Sequence, residues 1–181
     1  RDSDTTGGGY FYTNSFFMDQ NIHQNKRALK LIEKFGCRYN CDKEHKYHSI
    51  KDGCVVFHPG SSDLERSWPD SHWVELARLL SIKYKVSVVL TKGSSSLVSK
   101  LKIENLELQY FEGSLVNFCD YINNQKCLIA PDSMAGHLAS YFGIPVISLF
   151  GSQNPNLTKP KNKYGKIIKP KIICNHDRDH W

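Results

Sequence analysis

The loop over residues 58–66 combines residue types that bind a phosphate group. It reads HPGSS from His58 to Ser62 and is followed by Arg66. A Pro-Gly turn lets the backbone approach a ligand closely, and Ser61 and Ser62 offer hydroxyl and amide donors. Arg66 can direct two parallel N–H groups at a phosphate. The alternative is a structural turn in which Arg66 pairs with an acidic neighbour in the same loop.

A second loop reads APDSMAGHLA over residues 130–139, where a predicted strand ends and a helix begins. The first turn of a helix has free amide groups and the positive end of the helix dipole, which together favour an anion. Asp132 and Ser133 lie at this point, and His137 follows one turn later on the same face. The alternative is that Asp132 only caps the helix and that His137 is a core histidine.

A third loop, FGSQNP, follows the last strongly apolar run of the chain. Its small residues Gly151 and Ser152 can line a diphosphate pocket. An ordinary turn has the same composition, so this loop by itself leaves both interpretations open.

Short apolar runs alternate with amphipathic segments, and this alternation predicts how the loops are positioned. The predicted strands are 54–58, 86–90, 106–110, 127–130 and 146–150. The predicted helices are 21–35, 70–83, 94–102, 115–122 and 133–142, with Asp70 or Ser71 capping the second and Ser114 capping the fourth. Strands alternating with helices favour an α/β fold, a doubly wound parallel sheet of the Rossmann-like type. Such sheets bind ligands at the carboxyl ends of their strands, where these loops lie.

Composition and charge narrow the class of protein. The 181 residues are 40% hydrophobic with a net charge of +6, and the basic excess lies near the end of the chain. This stretch is either a solvated surface or a site for an anion, and it also allows peripheral contact with a membrane. Nucleic acid is not an expected partner, since no basic stripe interleaves with stacking aromatics. The lysines of this stretch are Lys159, Lys161, Lys163, Lys166, Lys169 and Lys171.

The location of the protein is predicted from its apolar runs and its thiols. No apolar run approaches the roughly 20 residues of a membrane span, and no leader is recognised at the start. The six cysteines show no disulfide spacing, and Cys54, Cys119 and Cys127 are predicted to be small buried hydrophobes. We expect a cytoplasmic protein with reduced thiols. A zinc site is the weaker alternative, formed by Cys37, Cys41, His45, Cys174, His176 and His180; the prediction is no metal.

Taken in order, the motifs resemble a bacterial family of sugar transferases. HPGSS, RSWP, a Ser114-Leu115 helix start, APDSMAGHLA and GIPVISLFGS follow one another as in glycosyltransferase family 9. Its best-known members are the ADP-heptose:lipopolysaccharide heptosyltransferases. The similarity covers about residues 54–156 and implies the C-terminal, nucleotide-sugar-binding half of a GT-B fold. It also implies metal-independent, inverting transfer of a sugar, such as heptose, from a nucleotide diphosphate to a lipopolysaccharide or other glycan or glycolipid acceptor, without a cofactor.

The resemblance assigns roles and domains to this chain. It implies that the donor phosphates and sugar contact Ser61, Ser62, Arg66, Asp132, Ser133, His137, Gly151 and Ser152. It further implies that residues 1–36 are a remnant of the N-terminal acceptor domain or an interdomain segment. Residues 37–53 are then a linker, 54–173 the nucleotide-sugar-binding domain and 174–181 a C-terminal tail. The general base that inversion needs is expected in the N-terminal domain and is not assigned here.

Two departures from the family pattern bear on the ligand. Met134 stands where the family commonly has Gly, and a Gly appears only at position 136. The segment after the second strand lacks the acid that often contacts the ribose, so Thr91, Ser95 and Ser96 are the expected ribose or base contacts. A non-catalytic nucleotide- or glycan-binding or assembly module of the same fold, or another sugar-nucleotide enzyme such as an epimerase, stays open as an alternative.

Overall fold

The computed structural model describes residues 16–38, 50, 52–61, 66–151 and 153–170. The described residues belong to two compact units. One contains residues 16–38 together with Asn156–Thr158, and the other contains the remaining described residues. The predicted linker and the last residues of the chain lie mostly outside the described ranges.

The first unit contains helix α1 (Gln24–Lys34) and, in Asn156–Thr158, most of a short helix that follows much later in the chain. His23 precedes it, and its Nδ1 accepts a hydrogen bond from the amide of Asn25 at 3.1 Å, which satisfies one of the amides that a helix start leaves unpaired. Gly36 adopts a φ of +76°, a conformation that favours glycine, and ends the helix directly after the predicted range of 21–35. The ring of Phe35 packs edge-on against the ring of Phe16, with 5.9 Å between the ring centroids.

The second unit is a six-stranded parallel sheet with helices between its strands. The chain order is β1 (Val55–Phe57), α2 (Asp70–Ser81), β2 (Val86–Val89), α3 (Ser95–Ile103), β3 (Leu108–Phe111), α4 (Leu115–Ile122), β4 (Cys127–Pro131), α5 (Met134–Tyr141), β5 (Val146–Leu149), α6 (Pro155–Thr158) and β6 (Lys166–Ile168). The strands lie side by side in the order β3-β2-β1-β4-β5-β6. All five pairings are parallel, which confirms the predicted fold class.

The local sequence sets the helix boundaries, and the structure corrects one predicted boundary, the N-terminal cap of α2. Ser114 caps α4 as predicted, because its hydroxyl accepts a hydrogen bond from the amide of Asn117 at 3.2 Å. Gly143 ends α5 with a φ of +74°. The predicted cap of α2 is wrong: Asp70 is already the first helical residue and Pro69 occupies the N-cap position. Asp70 instead forms an ion pair with Lys100 of α3 at 2.8 Å, so its carboxylate is not available to cap the helix.

Two apolar clusters cover the two faces of the sheet, as a doubly wound fold requires. On one face, Trp73 of α2 and Leu97 of α3 pack against alternate residues of β1 and β2. On the other face, Phe118 of α4 and Ala139 of α5 pack against the intervening residues of β1 and β4. Strand side chains point alternately to opposite faces, so β1 contributes to both clusters. The prediction that three thiols are buried holds fully only for Cys54, since Cys119 and Cys127 are half-buried.

The strand order places a topological switch point between β1 and β4. From β1 the chain runs through α2 to β2 on one side, and from β4 it runs through α5 to β5 on the other. The loops that leave the carboxyl ends of β1 and β4 therefore diverge and leave a crevice between them, where ligands bind in open α/β sheets. No helix among the described residues is long and apolar enough to cross a bilayer.

Candidate functional site

A cleft of about 330 Å³ lies at the carboxyl ends of β1, β2 and β4. We call it the switch-point cleft. It brings together loops that are distant in the chain, and it lies at the edge of the sheet where the sequence predicts a site. Its lining residues are His58, Gly60, Ser61, Arg66, Thr91, Lys92, Asp132, Ser133, Met134 and Ala135.

Arg66 links the two loops that flank the switch point. Its Nη1 lies 3.4 Å from the carbonyl oxygen of Asp132, to which it donates, and 4.0 Å from the Asp132 carboxylate. The carboxylate is almost completely buried, whereas about a quarter of the Arg66 side chain is exposed. Arg66 is thus held across the cleft by Asp132, 66 residues away, while part of its guanidinium can still reach a ligand.

The start of α5 contributes the anion-binding end of a helix. Ser133 is the N-cap residue, and its extended backbone (φ −154°, ψ 166°) starts the helix without a capping bond from its own side chain. The Ser133 hydroxyl oxygen is buried and has no hydrogen-bond partner among the described residues. Because the first amides of a helix also lack intrahelical partners, this end of α5 offers donors and a positive dipole to the cleft. Asp132, predicted as an alternative cap, lies one position before it.

The β2 loop closes the third side of the cleft. Gly60 lies so close to this loop that a Cβ built on it would be 2.7 Å from the Thr91 hydroxyl oxygen. Only glycine therefore fits there without displacing the loop. The Thr91 hydroxyl is buried without a hydrogen-bond partner among the described residues, whereas Ser94, which follows it, both donates to and accepts from the Thr91 backbone.

Five of the predicted site residues line the switch-point cleft, and the other predicted residues that the structure describes do not. Ser61, Arg66, Thr91, Asp132 and Ser133 converge there. His137 is half-buried one turn further along α5 and is not among the lining residues. The two predicted serines of the β2 loop also lie outside the lining: Ser95 is exposed on α3, and Ser96 donates to Asp70 at 2.9 Å. The predicted residues Ser62 and Ser152 lie outside the described residues.

Gly151 lines a different cleft, of about 420 Å³ and largely apolar, between α2 and strands β4 to β6. Gly151 lies away from the switch-point cleft because it follows β5, which is one strand further from the switch point than β4. This second cleft offers few polar groups besides Arg66, Ser67 and Lys169, so a diphosphate has fewer partners there than in the switch-point cleft.

Two titratable lining residues, His58 and Lys92, were not among the candidates predicted from the sequence, whereas Met134 was predicted there to bear on the ligand. His58 was read only as part of a turn motif, although it directly follows a buried strand at the predicted ligand edge. Burial lowers the pKa of His58 below its usual value, an effect partly offset by nearby backbone groups of His58 and Gly60. Lys92 is exposed on the loop where the family often has an acid. Met134 is 52% exposed at the first position of α5.

Gly136 does not take over the position that Met134 occupies. A Cβ built on Gly136 would lie 3.1 Å from Pro160 and 3.7 Å from Val146. This glycine therefore lets α5 pack closely against other parts of the same unit, and it leaves the Met134 side chain at the mouth of the cleft.

Comparison with known proteins identifies the family. The model of glycosyltransferase family 9 (heptosyltransferase) matches residues 18–180. Lipopolysaccharide heptosyltransferase 1 of Pseudomonas aeruginosa is 29% identical over 109 residues, which are 58% of this chain and 30% of that protein. The fold is similar to that of E. coli heptosyltransferase WaaC with ADP (TM-score 0.72, 17% identity, 93% of this chain and 57% of that one). It is also similar to E. coli ADP-heptose lps heptosyltransferase II (TM-score 0.58, 16% identity, 87% and 46%).

The chain belongs to glycosyltransferase family 9, and the resemblance seen in its motifs is confirmed. The fold of its second unit agrees with the predicted half of a GT-B fold. The chain spans 30% of the length of the Pseudomonas protein and 57% of that of WaaC.

Proposed function

We propose that this chain is the donor-binding part of a glycosyltransferase and that the switch-point cleft holds the diphosphate of a nucleotide diphosphate sugar. The observation that carries the proposal is the convergence of Arg66, Ser133 and the start of α5 on one cleft at the switch point. A guanidinium and helix amides are the groups that bind phosphate most readily. The same groups stabilise a departing diphosphate as its negative charge grows.

The full-length protein then transfers a sugar, such as heptose, to a hydroxyl of a lipopolysaccharide or other surface-glycan acceptor, with inversion. Support comes from the family and from the names of the similar proteins, which mention lipopolysaccharide, ADP and ADP-heptose. In this proposal residues 54–173 bind the donor, residues 37–53 link the domains, and the general base belongs to an N-terminal domain of which residues 1–36 are the last part. His137, Gly151 and Ser152 stay proposed contacts of the donor sugar.

The proposal requires neither a cofactor nor a metal ion. Among the described residues, no group of three or more His, Cys, Asp or Glu side chains is arranged to hold a metal. Two cationic side chains, Arg66 and Lys92, line the cleft with the helix start and can balance the diphosphate charge in place of a divalent ion. The protein is proposed to act in the cytoplasm, with its basic C-terminal stretch near the inner membrane face.

Titration calorimetry of the folded chain with ADP, UDP and the matching nucleosides tests this function. We expect saturable binding of the diphosphates, no measurable binding of adenosine or uridine, and the same affinity with EDTA as with Mg²⁺. A folded sample that binds neither ADP nor UDP contradicts the proposal.

A non-catalytic module of the same fold is the second candidate, and Met134 favours it. A flexible side chain at the first position of α5 lies where a ligand approaches the helix start, and it reduces the space for a sugar. This candidate is supported if nucleotide affinity is absent while a glycan or protein partner is retained by the full chain and lost on deletion of residues 157–173.

A further inference from the structure

Three polar side-chain atoms of the switch-point cleft are buried without a hydrogen-bond partner among the described residues. They are Nδ1 of His58, the hydroxyl oxygen of Thr91 and the hydroxyl oxygen of Ser133. Each comes from the carboxyl end of a different strand: β1, β2 and β4. Buried polar atoms in folded proteins are nearly always hydrogen-bonded. Three such atoms in one cleft therefore indicate that a polar ligand completes their bonding.

His58 is held in a fixed position among these three. Its backbone amide donates to the carbonyl of Ile129 in β4 at 3.0 Å, which anchors the residue between the two strands of the switch point. Its ring packs against the ring of Phe118 in α4, with 5.5 Å between centroids. One side of the imidazole is thus covered by an apolar residue, and the residue lines the cleft.

Burial, and not a neighbouring charge, sets the protonation state of His58 without a ligand. The charged side chains lining the cleft are two cations, Arg66 and Lys92, and one anion, Asp132. From α4 it meets Phe118, which does not titrate. Burial lowers the pKa of His58, so the ring is neutral near pH 7. A diphosphate that enters the cleft adds negative charge beside the ring and favours its protonated form.

We propose that His58 is a ligand-contacting residue that donates a hydrogen bond from its ring to a phosphate oxygen of the donor and takes up a proton when the donor binds. The inference rests on the proposed function, namely that this cleft holds a nucleotide diphosphate. The proton comes from solvent and is bound by the imidazole. No covalent bond of the ligand is made or broken, and the proton returns to solvent when the diphosphate leaves.

Calorimetry with ADP-glucose tests the proton uptake. Both phosphates of this probe are esterified, so the ligand itself does not titrate near neutral pH. Titrations at pH 7 in PIPES and in Tris, which differ in ionisation enthalpy and contain no phosphate, report the protons taken up per ligand bound. For the wild type we expect uptake, and an affinity that rises as the pH falls from about 8 to about 6.5, by at most about tenfold per pH unit.

The variants separate His58 from the other histidines. His58→Gln keeps a hydrogen-bonding side chain that does not titrate, so we expect weaker binding, no uptake and an affinity independent of pH. His72→Gln is the matched control, because His72 is exposed on α2, stacks on Trp68 and lies outside the cleft lining. The inference is overturned if proton uptake on binding persists in His58→Gln, or if it is lost in His137→Gln instead.

Ring resonances of the eight histidines provide a second readout that does not depend on a variant binding the ligand. In the wild type, one histidine is expected to titrate below the usual range without ADP-glucose and about one pH unit or more higher with it. The spectrum of His58→Gln assigns that resonance. If ADP-glucose binds and no histidine shifts, His58 has no such role while the proposed function stands. If ADP-glucose does not bind to the folded chain while ADP or UDP does, the inference about His58 fails and the proposed function stands; if none of the three binds, both fail.

Discussion

Arg66 and Asp132 meet across the switch-point cleft, with Nη1 of the guanidinium 3.4 Å from the Asp132 carbonyl oxygen and 4.0 Å from its carboxylate. The two residues follow β1 and β4, the parallel strands from which successive strands are added in opposite directions across the sheet. Because Asp132 is buried, its negative charge holds the guanidinium at the cleft. This contact ties the two halves of the sheet together at the place where we propose that the ligand binds.

Replacing Arg66 by alanine is expected to weaken ADP binding about 10- to 100-fold. A hydrogen bond from a charged group to a phosphate contributes roughly 1.5–3 kcal/mol. Arg66 lines the cleft and extends across the switch point to Asp132. Calorimetry measures the loss. Arg78→Ala is the matched control, since Arg78 pairs with Glu104 at 2.6 Å on the surface away from the cleft. Equal affinities of Arg66→Ala and wild type would remove Arg66 from the site.

Replacing Met134 by glycine is expected to strengthen binding of a nucleotide diphosphate sugar while leaving ADP affinity within about twofold. The side chain at the first position of α5 is exposed at the cleft mouth, so its removal makes room for the sugar and leaves the helix amides in place. We expect a gain of about 3- to 10-fold, or roughly 0.7–1.4 kcal/mol. Met134→Ala separates lost bulk from glycine's greater flexibility, which costs a helix up to about 1 kcal/mol. If the affinities for ADP and for the sugar nucleotide changed by the same factor, Met134 would not act by limiting the space for the sugar.

Replacing Trp73 by alanine is expected to lower the free energy of unfolding by about 3–5 kcal/mol. Trp73 is completely buried and contacts the rings of Phe57 and Trp68, each at 5.1 Å between centroids. Its indole N–H has no hydrogen-bond partner among the described residues. Trp73→Phe removes that unsatisfied donor and should cost less than half as much. Urea denaturation measures both; Leu79→Ala, at an exposed position of the same helix, should change stability by less than about 0.5 kcal/mol.

Cys127 is expected to resist alkylation in the folded protein. Burial raises the pKa of its thiol to about 11, although a backbone hydrogen bond to Ile147 acts in the opposite direction. Since the thiolate is the reactive species, iodoacetamide near pH 8 should label exposed Cys37 well before Cys127. Peptide mapping after short labelling measures the difference, and urea should abolish it. Equal labelling in the folded state would show that the thiol is accessible.

The neutral state of His58 has a consequence for stability. Its pKa is lowered by folding, so below the ordinary histidine pKa of about 6.5 the unfolded chain binds more protons than the folded one, and stability falls as the pH decreases. Above that pH the residue contributes no such change. We expect His58→Gln to lose less stability than wild type between about pH 7.5 and 5.5, as measured by urea denaturation. A larger loss in the variant would contradict a neutral, buried His58.

The alternation of strands and helices is predictable from the sequence because its determinants are local. Apolar runs bounded by Gly or Pro locate β1, β2, β4 and β5 within one or two residues, and Ser114 and Gly143 mark helix ends through their own backbone and side-chain preferences. The last elements, α6 and β6, were not predicted. All three residues of β6 are exposed, so this strand leaves no apolar pattern by which to recognise it.

By itself, the sequence determined the α/β class and the family, and it predicted the edge of the sheet where we propose that the ligand binds, because these depend on short motifs and on their order. Only the tertiary structure decided which loops meet. The strand order puts the loops of β1, β2 and β4 around one cleft and Gly151 in another, and it brings Arg66 to Asp132. The physical reason is that strand neighbours are chosen by packing between distant segments, which no local pattern records.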